Sequence, residues 1–131
     1  MIINFNRDSI NKWSGLIFYL LVLSFLSLNP WLLPDSKQAV GAITWDLIDH
    51  FAAYGLFSIL IMSVLKTKNL KTTLFTILIS SLTGILFEFG QHYLTSNRQF
   101  SLLDAVANIA GALLGVAIFW CIQFFYKRIS Q

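Results

Sequence analysis

Four long apolar runs, separated by short polar clusters, organise the chain. The first, Trp13 to Leu28, follows a polar lead carrying Arg7, Asp8 and Lys12 and stops at Asn29-Pro30. Proline removes an amide donor there and biases its predecessor away from helix, although Trp31-Leu32-Leu33 prolongs the apolar character. Pro34 to Thr44, with Asp35, Ser36, Lys37, Gln38 and Gly41, reads as a loop. The second run opens with Asp46, Asp49 and His50 and continues apolar through Met62; a basic turn with Lys66, Lys68, Asn69 and Lys71 closes it. The third run ends near Leu94, Thr95 to Ser101 forms another turn, and the fourth run closes with Tyr126, Lys127 and Arg128. The pattern predicts helices over about 13–33, 45–65, 72–94 and 102–125.

Each run approaches the roughly 20 residues that a helix needs to cross a bilayer. The composition agrees: 131 residues, 56% hydrophobic and 11% charged, with a mean hydropathy of +0.71. A soluble domain carries about a quarter charged residues. The predicted fold is therefore all-α, a four-transmembrane-helix bundle forming one membrane domain over 1–131. That length leaves no room for a separate soluble catalytic domain. The basic start and apolar core also resemble a signal peptide, but no small-x-small cleavage site follows. Cys121 has no second cysteine to pair with and carries no information about redox compartment.

The charges orient the bundle. Arg7, Lys12, Lys66, Lys68, Lys71, Lys127 and Arg128 fall on one side of the four-helix arrangement, against Lys37 and Arg98 on the other. Seven against two predicts cytoplasmic termini by the positive-inside rule. Trp31, Trp45 and Tyr93 then lie near the outer boundary and Trp13, Trp120 and Tyr126 near the inner one, as interfacial anchors. The net charge of +3 comes from few residues, so nucleic-acid binding is a poor reading.

The acids separate from the bases. Only Asp8 is on the cytoplasmic side; Asp35, Asp46, Asp49, Glu88 and Asp104 gather at the outer ends, together with His50 and His92. Helical spacing aligns Asp46, His50 and Tyr54 on helix two, with Asp49 beside them. Ser81, Gly84, Glu88, Gln91 and His92 form a stripe on helix three, and Asp104, Asn108, Gly111 and Gly115 one on helix four. Lipid cannot hydrogen-bond these groups, so the three stripes should face one another around an outward polar pocket.

Each group has a functional and a structural reading. His50 with Asp46 is an oriented general base or metal ligand, or an i, i+4 hydrogen bond. Glu88, about a turn and a half inside helix three, is costly near lipid. Its functional reading is a carboxylic acid with a raised pKa, favoured over a packing pair with Arg98 or His50. Arg98 either clamps a phosphate or carboxylate or caps Glu88 and Asp104. Asp104 also suits a helix N-terminus, Asn108 an interhelical hydrogen bond, and Gly111-x-x-x-Gly115 close packing within the bundle rather than a dimer interface. A metal site from His50, His92, Glu88 and Asp104 matches no zinc signature, so neither metal nor cofactor is expected. Ser101 is the nearby nucleophile candidate, a weak one without an adjacent base.

Three segments together resemble the VanZ-like family of small membrane proteins. They are Asp46-x-x-x-His50-x-x-x-Tyr54, Glu88-x-x-Gln91, and Arg98-x-Phe100-Ser101-x-x-Asp104-x-x-x-Asn108-x-x-Gly111-x-x-x-Gly115. The resemblance covers roughly Trp45 to Gly115, and its specificity lies in the order and spacing of the set. Where the family commonly has lysine after the first aspartate, this chain has Leu47. The family takes its name from resistance to the glycopeptide antibiotic teicoplanin and brings no settled reaction. The resemblance implies a multi-pass protein of the bacterial cytoplasmic membrane with a cell-envelope role. Two functions follow as expectations. One is a pocket of Asp46, His50, Tyr54, Glu88, Gln91, Arg98, Asp104 and Asn108 binding a lipid, lipid-linked wall precursor or lipoglycopeptide. The other is an intramembrane enzyme using Glu88 or His50 as acid or base on such a substrate. A proton or ion path ranks behind both, because the stripes thin out toward the cytoplasmic half.

Overall fold

A computed structural model describes residues 7–29, 39–40, 43–65, 67–94 and 100–129. Among them are four helices, α1 Arg7–Leu28, α2 Trp45–Val64, α3 Leu70–Leu94 and α4 Leu102–Ile129, all long and apolar enough to cross a membrane. At about 1.5 Å per residue, even the 20-residue α2 is close to the ~30 Å hydrocarbon core in length. The chain is a multi-pass membrane protein built as an all-α four-helix bundle. A two-residue antiparallel ladder, β1 Ala39–Val40 with β2 Ile43–Thr44, lies in the connection expected to be a loop and delivers the chain to α2.

Local polar chemistry sets the helix ends. The Thr44 hydroxyl accepts from the Leu47 amide at 3.4 Å and caps α2. Asn69 and Thr72 cap α3 reciprocally, each side chain accepting from the other's amide at 3.0 Å. This starts α3 at Leu70, two residues before the sequence-based boundary. Ser101 accepts from the Asp104 amide at 3.2 Å and caps α4, so the hydroxyl considered as a nucleophile has a structural task. At the end of α2, Lys68 donates to the carbonyls of Met62 and Leu65 and lies 5.2 Å from the Phe119 ring centre. Burial, and secondarily nearby Lys12, lower the Lys68 pKa.

Two predicted boundaries require correction. Helix α1 begins at Arg7, not near Trp13, and Asn29 lies outside it; no proline occurs between Arg7 and Leu28, whereas Asn29 precedes one. The proposed extension through 30–33 falls outside the described residues. Helix α4 continues to Ile129 rather than ending near Phe125, with Lys127 and Arg128 complementing the negative pole of its last turn.

Contacts place the start of α2, the end of α3 and the start of α4 together at one end, here termed the acidic end; Leu28 of α1 reaches it beside Gly90. At the basic end, Trp120 donates its indole N–H to Thr73 at 3.0 Å, while Met62, Val116 and Phe119 pack together. Helices α2 and α4 run parallel and almost backbone to backbone. A Cβ at Gly111 would strike the Phe51 carbonyl, and one at Gly115 the Gly55 carbonyl and Ser58 hydroxyl. Ser58 donates toward the carbonyls of Gly55 and Ala112 at 2.9 and 3.1 Å, joining the pair. The glycine spacing therefore serves close packing inside the bundle.

Helix α3 is inverted relative to a soluble helix. Its buried residues are Thr76, Ser80, Gly84, Glu88 and Gln91, while Leu74, Leu78, Leu82 and Leu86 are exposed. With lipid as solvent, outward leucines cost little, whereas polar groups require protein partners. Helix α1 contributes a single fully buried apolar residue, Leu23. It is tied to α2 by Tyr19, which donates to the Ala53 carbonyl at 2.9 Å and stacks on Phe57.

Candidate functional site

His50 is the centre of the acidic end. One turn into α2, its ring reaches between α3 and α4: Nδ1 lies 3.0 Å from Oδ1 of Asn108 and 3.5 Å from Oε1 of Glu88. Nε2 lies 3.9 Å from Oδ1 of Asp46, one turn back on α2. Two oxygen acceptors converge on Nδ1, favouring the tautomer that carries its proton there. Glu88 and Asn108 are 1% and 0% exposed, so this contact lies inside the bundle.

Asn108 is held in place by the absence of a side chain at Gly84. A Cβ there would lie 2.7 Å from Nδ2 of Asn108. Nδ2 itself is buried without a hydrogen-bond partner, a cost of roughly 1–3 kcal/mol in proteins generally. The amide therefore gives up one interaction and turns its oxygen to His50.

Asp104 completes the cluster from the first turn of α4. Oxygens of Asp46 and Asp104 and a ring nitrogen of His50 all lie within 4.8 Å of one another. Beside them a cleft of about 330 Å³ opens between α1, α2 and α3. Leu23, Leu26 and Ala53 supply apolar wall, and Asp46, Asp49, His50, Tyr54 and Gln91 supply polar groups.

The arrangement joins most of the residues expected from sequence. Asp46, His50, Glu88, Asp104 and Asn108 form the cluster, and Tyr54 and Gln91 line the cleft. Arg98 lies outside the described residues. His92, placed on the α3 stripe, is exposed and packs edge-on against Tyr93. Each four-residue step along an α-helix advances about 40° past a full turn. Steps from Thr76 through Ser80, Gly84 and Glu88 to His92 therefore carry the last residue off the buried face, and Gln91, three residues after Glu88, returns to it. The same drift leaves Ser80, rather than Ser81, as the fully buried serine.

Other contributors were not assigned to the site from sequence. Asp49 lines the cleft, as do Leu23, Leu26 and Ser27 of α1. Ser27, four residues after Leu23 in an apolar run, was the available signal on that helix. Leu47 lines an apolar groove between α2 and α4 with Ile48, Phe51, Leu103, Val106 and Ala107. A leucine suits this apolar position.

Fold and site together define a class: a four-helix, multi-pass membrane protein with a buried carboxylate–imidazole–amide cluster and an adjoining cleft at one end. No family model matches the chain, and neither does any curated protein or solved structure.

Proposed function

We propose that the chain is a VanZ-like protein of the bacterial cytoplasmic membrane that binds the head-group end of a lipid, lipid-linked wall precursor or lipoglycopeptide. The carrying observation is the cleft: apolar α1 and α2 side chains meet Asp46, Asp49, His50 and Gln91 within one opening of about 330 Å³. Such a site receives a polar head beside the first carbons of an acyl chain and falls within the size range of small-molecule pockets. The acidic end faces outward in this reading, because the lysines and arginines of the short connections and termini concentrate at the opposite end.

A second reading is an intramembrane enzyme, favoured by the Glu88–His50–Asp46 sequence of groups. An imidazole backed by a buried carboxylate has the parts of a general acid or base.

The test is teicoplanin susceptibility in cells expressing the chain, its Glu88→Gln variant or its His50→Ala variant at matched levels. Protection by the parent chain and its loss in both variants is expected; full protection by both would leave the cluster structural. Purified protein incubated with labelled wall precursor then separates the readings, retention without chemical change favouring the binder and turnover the enzyme.

A further inference from the structure

We infer that Asp46, His50 and Asp104 form a binding site for one divalent first-row metal cation, such as Zn²⁺ or Mn²⁺, at the acidic end of the bundle. The three side chains come from the first two turns of α2 and the first turn of α4, and their ligand atoms lie within 4.8 Å of one another. His50 Nε2 and Asp46 Oδ1, at 3.9 Å, are too far apart for a hydrogen bond. A tetrahedral ion with donors about 2.1 Å away holds them roughly 3.4 Å apart, about half an ångström closer than this pair stands. Binding therefore requires the three side chains to draw inward onto the ion.

The far side of the ring provides an independent argument. Metal-bound histidines commonly direct their other nitrogen at a carboxylate or carbonyl oxygen, fixing tautomer and ring orientation. His50 has that arrangement: Nδ1 faces Asn108 Oδ1 at 3.0 Å and Glu88 Oε1 at 3.5 Å. A proton on Nδ1 leaves Nε2, 3.9 Å from the Asp46 carboxylate, as the nitrogen that a metal would take. Asp46 and His50 also line the cleft, which gives an ion a route in and leaves coordination positions for water or an anionic head group.

The donor set selects the class of ion. One imidazole and two carboxylates suit Zn²⁺, Fe²⁺ or Mn²⁺, whereas Mg²⁺ and Ca²⁺ prefer oxygen alone. Glu88 and Asn108 act as positioning residues: they orient the ligand His50. The inference concerns the same cluster as the proposed amphiphile site, but metal binding does not depend on what occupies the cleft.

The experiment uses the full chain purified in detergent, stripped with chelator, and titrated with ZnCl₂ by calorimetry, with bound zinc counted by elemental analysis. One Zn²⁺ per chain is expected for the parent protein and for His92→Ala, whose exposed side chain lies outside the cluster, with excess Mg²⁺ failing to displace it. Asp46→Asn, Asp104→Asn and His50→Ala should each weaken binding at least about tenfold, and Glu88→Gln about 10- to 100-fold. Pulsed EPR of the parent protein with Mn²⁺ should show coupling to one histidine nitrogen, a readout independent of whether variants fold. Absence of stoichiometric zinc, or the same affinity after either Asp46→Asn or Asp104→Asn, would overturn the site. Zinc binding without protection from teicoplanin would refute the proposed function and leave the metal site standing; protection without zinc binding would do the reverse.

Discussion

Asn108 touches three helices. It belongs to α4, its oxygen meets His50 of α2, and its nitrogen lies against Gly84 of α3. Gly84→Ala would put a methyl group 2.7 Å from that nitrogen, and because Asn108 is fully buried it could move only by withdrawing its oxygen from His50. The expected cost is about 1–3 kcal/mol, seen as a lower thermal midpoint in detergent, whereas Gly15→Ala, with nothing within 4 Å, should leave the midpoint unchanged. Equal midpoints for the two variants would contradict this account of Asn108. The residues themselves were legible in the sequence, since Glu88, His50 and Asn108 are polar groups in apolar runs. Their pairing was legible only in part: a pair of Glu88 with Arg98 or His50 was the less favoured reading, and Asn108 had no named partner. Contact with His50 depends on how each helix is rotated about its axis.

Among the helices, α2 and α4 make the closest approach. Their parallel register, Phe51 against Gly111 and Gly55 against Gly115, brings Asp46 beside Asp104 and His50 beside Asn108 one to two turns away. Gly115→Ala should therefore act at a distance. Its Cβ would meet backbone at Gly55 as well as the Ser58 hydroxyl, and backbone gives way less readily than a side-chain tip. A loss of about 3 kcal/mol or more is expected, with the His50 region loosened, as read by faster hydrogen exchange of the α2 amides. Ser58→Ala is the milder companion, since membrane interhelical hydrogen bonds average about 0.6 kcal/mol; a larger loss than for Gly115→Ala would show that the hydroxyl rather than the close approach holds the pair. The Gly111-x-x-x-Gly115 spacing marked a close contact in the sequence, while the partner helix emerged from packing.

For the molecule as a whole, charge and polarity divide the bundle lengthwise. Described Lys12, Lys68, Lys71, Lys127 and Arg128 lie at one end, with Asp46, Asp49, Glu88 and Asp104 at or near the other. Under the proposed orientation, a reporter that is active only in the cytoplasm should be active when fused after Gln131, and an alkaline phosphatase fusion there inactive. The opposite pair of results would turn the cleft toward the cytoplasm and remove the basis for an outward-facing site. The orientation rests on sequence, because membrane insertion responds to the lysines and arginines of short connections.

The sequence by itself determined the four helices, their membrane class and the end at which the acids gather. Hydropathy, capping chemistry and charge are properties of short stretches of chain, so they can be read without knowing what lies across the bundle. Tertiary structure decided that His50 is held by Asn108 and Glu88, that Asp46 faces its other nitrogen with Asp104 close by, and that His92 points away. It also brought α1 to the cleft. The physical reason is that a helix turns about 100° per residue, so small differences in rotation and register choose which side chains meet, and those differences are set by close packing of glycines and partner helices.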